Sequence, residues 1–241
     1  MSNSSSKLLI AHCSLLIMDK EEKLIRGSTE LNQMFDALQR TAAGLRRDFG
    51  EVENLQQSLP SARRFVKTAA ERIEEMIISD LSLVRPHAGL STPNVHNEGD
   101  SGVAGRDEFA LALSGAENFV RGIAHFAITL ALRTNGETKI ALVYSPIEDV
   151  LFYAEAGEGA FLFSPHHSQR LAVSKNVDGF GRDSGCPALD LAFVAAGKYD
   201  RIELPPLDMA ELAAGELLVS EAGGRVAFEN GSVVADNKMS N

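Results

Sequence analysis

Two apolar runs, residues 123–132 and 139–144, flank Asn135-Gly136, and this pairing constrains the fold more than any other feature of the chain. Asn and Gly accept the positive φ angles that a two-residue hairpin turn requires, so the runs are expected to lie antiparallel. Residues 150–154 and 159–163 repeat the arrangement across Gly157-Glu158-Gly159, and residues 171–173 are expected to add another strand. The middle third thus reads as an antiparallel meander.

Helical spacing surrounds it. Leu31, Met34, Phe35, Leu38, Ala42 and Leu45 recur every three or four residues, which predicts a helix from Glu30 with Gly50 just past its end. Residues 51–56 read as a loop or strand. Thr68 and Glu71 have capping-box spacing, which predicts that a second helix starts there and turns Ile73, Met76, Ile77 and Leu81 inward. Residues 91–106 carry Pro93, Gly99, Gly102 and Gly105 without an apolar period and read as a long loop. After the meander, one helix is expected over 188–196, ending at Gly197. Another is expected from Asp208, capped by its spacing to Glu211 and stopped by Gly223-Gly224.

Composition narrows the function classes. A formal charge of -10 and a pI near 5.1 disfavour direct binding to nucleic acid, although Arg63-Arg64 is a local basic pair. Cys13 and Cys186 are the only cysteines, so neither a disulfide framework nor a zinc site is supported. The apolar run at residues 8–18 is shorter than the roughly 20 residues that cross a bilayer, and Asp19-Lys20-Glu21 follows it instead of a cleavage site. The expectation is a cytoplasmic protein without a membrane span, in which residues 1–28 are an N-terminal extension.

Five blocks in order, residues 47–56, 118–128, 143–162, 188–197 and 213–224, make the chain resemble the inositol monophosphatase family, which includes the bacterial extragenic suppressor proteins. The resemblance implies an α+β fold, a layered α/β/α/β/α sandwich with antiparallel-rich sheets. The family-like N-terminal lobe would span residues 29–174. The C-terminal lobe, 175–241, is expected to be reduced, because only a short Gly-rich link stands between Ser174 and Gly185 where the family has a longer segment. It also implies a homodimer and, through the suppressor branch, the transcription machinery as a partner.

Active members of that family hydrolyse phosphate monoesters with magnesium, which needs a cluster of carboxylates to hold adjacent cations. Matched residue by residue, the positions for these groups carry Ala70, Pro93 and Asn94, Leu111, Ser114 and Ala116. Ala116 replaces a water-orienting threonine, and four of the five acids are lost. Glu211 alone keeps a carboxylate, as a metal ligand or as part of a helix cap. Glu71 stands one residue from the lost aspartate and suits either a cap or a displaced ligand. Glu98, Asp100, Asp107 and Glu108 crowd the neighbouring region. The reading is a catalytically inactive pseudoenzyme with a binding or regulatory role and no cofactor. The alternative is an active phosphomonoesterase whose Mg2+ ligands have moved to Glu71, Glu98, Asp100 or Glu211. His125 is expected to be a scaffold residue, and Asn118 has no evident catalytic role.

Overall fold

The computed structural model describes residues 25–93, 106–176 and 178–237. The first apolar stripe forms helix α1 (Thr29–Val52), and all six residues of the stripe are buried. Ser28 caps the helix by accepting from Leu31 N at 3.2 Å. The helix runs through Gly50 and tightens into a 3-10 turn at Glu53–Leu55, so the loop or strand expected over 51–56 is helical. Val52 explains the difference: it lies two turns beyond Leu45 on the same face and is fully buried.

Helix α2 (Leu59–Val84) starts nine residues before Thr68. Pro60 occupies its first turn, where a missing N–H costs nothing. Thr68 and Glu71 therefore lie mid-helix, since three-residue spacing is shared by a cap and by any helical face. Val66, Ala69, Ile73, Ile77 and Leu81 form the buried stripe, and Met76 turns outward at 48% exposure. Two ion pairs tie α1 to α2, Asp48 to Arg72 at 2.8 Å and Arg40 to Asp80 at 3.0 Å.

These helices cover one face of a seven-stranded sheet built from β1 (Gly89–Ser91), β2 (Asp107–Ser114), β3 (Ala127–Thr134), β4 (Glu137–Ser145), β5 (Val150–Glu155), β6 (Gly159–Ser164) and β7 (His167–Arg170). The spatial order is the chain order. β1 runs parallel to β2, and every later pair is antiparallel. Asn135 and Gly136 make the β3–β4 turn with φ of 55° and 81°. β3 begins at Ala127 rather than 123, because residues 121–126 are taken up by the return from a short helix, α3 (Ala116–Val120), and Ile123 is exposed. β7 precedes the expected 171–173 strand; its four exposed side chains suit a sheet edge and carry no apolar signal.

The sheet is buried on both sides, and its strands alternate in size. Phe109, Leu111, Ile128, Leu130, Leu132, Ile140, Leu142 and Tyr144 face α1 and α2. Ala110, Ala112, Ala127, Ala131, Ala141, Val143 and Ala154 face the other way. Against this alanine-rich face lie α4 (Pro187–Ala195) and α5 (Met209–Glu221). Beyond them is a three-stranded antiparallel sheet, β8 (Arg201–Leu204), β9 (Arg225–Glu229) and β10 (Ser232–Asp236), in the order β8-β10-β9. The layers among the described residues are thus helices, large sheet, helices and small sheet. Polar pairing covers that end: Asp236, 2% exposed, meets Arg225 at 2.9 Å and Arg201 at 3.5 Å, and Glu229 pairs with both arginines. Among the described residues no helix is long and apolar enough to cross a membrane.

Close approach of α4 and α5 depends on Gly215, where an added Cβ would lie 2.8 Å from Leu191 Cβ. Gly215→Ala is expected to cost about 1–3 kcal/mol through overpacking. A urea titration should show a lower midpoint at unchanged slope.

Candidate functional site

The site is organised by the end of β2. Ser114 is the last residue of the strand, and Gly115 then turns the chain into α3 with φ of 79°. A Cβ at Gly115 would sit 3.0 Å from the carbonyl oxygen of His125 and 3.0 Å from Cys186 Cβ, so this turn needs glycine. Ser114 is left fully buried beneath the N-terminal ends of α4 and α5.

Its hydroxyl has three partners there. Ser114 Oγ donates to Glu211 Oε1 at 2.5 Å and accepts from the backbone N–H of Ala188 at 3.1 Å. Cys186 Sγ lies 3.6 Å away. Asp208 caps α5 by accepting from Glu211 N at 3.1 Å, so the expected cap exists. The Glu211 carboxylate does not close the capping box, however; it reaches instead to a residue 97 positions earlier in the chain. Thr129 Oγ1 holds the same helix start by donating to the carbonyl of Ala210 at 3.2 Å. Burial raises the Glu211 pKa above its ordinary 4.5; the Ser114 hydrogen bond opposes the rise and the nearby Asp208 charge adds to it. Burial likewise pushes the Cys186 thiol up to about 12, which keeps it protonated and unreactive.

Beside this pair lies a second polar cluster. Asp190, in the first turn of α4, is fully buried; its Oδ2 accepts from Ser184 N at 2.9 Å, and its Oδ1 has no hydrogen-bond partner. Burial raises its pKa. His125 Nε2 meets Ser184 Oγ at 2.8 Å, and Asn118 Nδ2 donates to the carbonyls of His125 at 2.8 Å and Ser184 at 3.0 Å. His125 is thus a scaffold residue as expected, and Asn118 pins the link into α4. The Ser114–Glu211 bond and the buried Asp190 were not legible in the sequence, since their partners are distant in the chain or are backbone atoms.

The remaining family-matched positions divide between two places. Leu111 is 1% exposed and packs against the helices α1 and α2, on the sheet face opposite Ser114. Ala70, Pro93 and Ala116 converge instead on a separate cavity of about 330 Å³. Val66, Leu113 and Val120 share its lining with the charged Arg63, Lys67, Glu74 and Glu117. Glu71 is an exposed mid-helix residue 3.9 Å from Lys67, so it neither caps a helix nor joins the cavity. Asp107 pairs with Arg85 at 3.2 Å, and Glu108 with Arg133 at 3.0 Å. Asn94, Glu98 and Asp100 lie outside the described residues.

Magnesium asks for about six oxygen ligands with carboxylates among them. Ala70, Pro93 and Ala116 supply no anionic oxygen, Leu111 faces the core, and the Ser114 hydroxyl is engaged by Glu211 and Ala188. Among the described residues no group of three or more His, Cys, Asp or Glu side chains is placed to hold a metal ion. The donor set of the described residues does not fit magnesium.

Comparison with known proteins places this geometry in context. The profile described as the inositol monophosphatase family matches residues 28–181. An inositol-1-monophosphatase of Mesorhizobium japonicum is 34% identical, over 88% of this chain and 93% of that protein. The Nus factor SuhB of Pasteurella multocida is 29% identical, over 83% of this chain and 85% of that protein. The crystal structure of extragenic suppressor protein suhB from Bartonella henselae superposes with a TM-score of 0.73 at 29% identity, covering 88% of this chain and 94% of that one.

The raised Glu211 pKa has a defined sign. A carboxyl whose folded-state pKa exceeds its unfolded value adds stability that is complete below about pH 4.5 and is lost as pH rises through the folded-state pKa. Glu211→Gln keeps the acceptor for Ser114 and removes the titration. Its stability relative to the parent is expected to rise between pH 4 and pH 7, read by denaturant midpoints. Ser114→Ala should cost about 1–3 kcal/mol at pH 7 by leaving the carboxylate without its donor.

Proposed function

Because this chain belongs to the inositol monophosphatase family while the positions matched to its metal ligands keep one carboxylate, Glu211, we propose that it is a non-hydrolytic member that works by binding. The observation that carries this reading is the Ser114–Glu211 hydrogen bond. The one acid retained at a family ligand position is turned toward a buried hydroxyl, and burial favours its neutral form. A metal ion there would have to displace Ser114, ionise Glu211 and find further anionic ligands that Ala70, Pro93 and Ala116 do not offer. Metal assistance in phosphoryl transfer is worth several kcal/mol, so its loss lowers the rate on the order of a thousandfold or more.

The kind of partner we favour is a component of the transcription machinery. The support is the likeness, over most of this chain, to relatives that carry the name Nus factor. In this reading the protein is a cytoplasmic homodimer that presents a surface rather than a reaction. Purified RNA polymerase should co-elute with the chain in size-exclusion chromatography, and separate elution would remove this partner.

The hydrolysis question has a direct test. Phosphate release from myo-inositol 1-phosphate is expected to stay at background from zero to millimolar magnesium or manganese, for the parent and for Glu211→Ala alike. The same metals should leave the melting temperature unchanged, since a ligand that binds only the native state raises it. Magnesium-dependent turnover that Glu211→Ala abolishes would overturn the proposal in favour of an active phosphomonoesterase.

A further inference from the structure

Building on the non-hydrolytic reading, we propose that the cavity shared by Ala70, Pro93 and Ala116 binds a small uncharged organic molecule with an apolar body. Three elements and Pro93, two residues past the end of β1, converge to form it. Val66 and Ala70 lie one turn apart on α2, Leu113 lies near the end of β2, Ala116 and Val120 lie one turn apart on α3, and Pro93 closes the lining. Its volume of about 330 Å³ falls at the lower end of small-molecule sites, which span roughly 300–1,000 Å³.

Charge selects the class of occupant. Two cations, Arg63 and Lys67, share the lining with two anions, Glu74 and Glu117, so the described lining carries no formal net charge. Two of these groups, Arg63 and Glu117, are engaged with each other, and Lys67 lies 3.9 Å from Glu71. Arg63 binds Glu117 through two contacts, 3.0 Å and 3.4 Å, and Arg121 reaches the same carboxylate at 2.8 Å. The arginine contacts hold the Glu117 pKa below its ordinary value, which keeps it ionised and paired. A phosphate dianion entering the cavity would give up hydration where the lining's formal charges already balance, and the Arg63 guanidinium is already paired with Glu117. An apolar body loses no hydrogen bonds on entry and gains contact with Val66, Ala70, Leu113, Ala116 and Val120. The substitutions at 70, 93 and 116 come from separate parts of the chain, yet each supplies apolar surface to the same space.

Indole is a suitable probe, because the chain contains no tryptophan and indole emission can be followed directly. Saturable binding is expected, with a dissociation constant of about a millimolar or below. Ala70→Phe fills the cavity from a half-buried helix position and should weaken binding at least about tenfold. Ala70→Asp, which puts a charge in the lining, should do the same. Melting curves of both variants verify that they are folded. Tighter binding of inorganic phosphate or myo-inositol 1-phosphate than of indole would overturn the ligand class, as would indole binding that neither variant changes. Magnesium-dependent phosphate release would overturn the non-hydrolytic reading as well. Absence of indole binding in a protein that releases no phosphate overturns the ligand class alone.

Discussion

Burial of the seven-stranded sheet on both faces governs most of what this molecule can do. Large residues such as Phe109, Leu130 and Tyr144 fill the space beneath α1 and α2, while Ala110, Ala131 and Ala141 let α4 and α5 come close on the other side. Close packing leaves little room for water, so any polar group on that side needs a partner within the protein. Ser114 sits at the end of β2 on that face, and its partners are the Ala188 amide and the Glu211 carboxyl. The same packing that stabilises the layers therefore dictates the chemistry at the strand end.

The scarcity of carboxylates at the matched positions goes with surroundings that pair their own charges. Removing carboxylates from a site usually strands the cations that had faced them. Here Arg63 and Arg121 share Glu117, Arg133 meets Glu108, and Arg85 meets Glu30 and Asp107. At the three-stranded sheet, Asp236 and Glu229 gather Arg201 and Arg225. Apolar side chains at 70, 93 and 116 stand together, and the remaining acid at 211 has a hydroxyl donor. Each of these residues is compatible with its neighbours, as a folded protein requires.

Much of the architecture was legible because it is local. Asn135-Gly136 specifies its hairpin through positive φ, and the stripe from Leu31 to Leu45 specifies α1 through helical period. Reading failed where one local pattern has two meanings. Three-residue spacing at Thr68 and Glu71 suits a cap or a helix interior, and the earlier Pro60 decided for the interior. β7 was missed because an exposed edge strand carries no apolar alternation, and the start of β3 was misplaced because Ile123 is apolar but exposed.

The candidate site divides along the same line. Sequence by itself determined the family, the layered α+β class and the identities of the groups at 70, 93, 111, 114, 116 and 211, since these depend on residue order alone. Only the tertiary structure decided where those groups go. It sealed Leu111 beneath α1 and α2, gathered Ala70, Pro93 and Ala116 around one cavity, and joined Ser114 to Glu211 across 97 positions. The reason is physical: a side chain's partners and protonation are set by what packing brings within a few ångströms, and no local pattern encodes that distance.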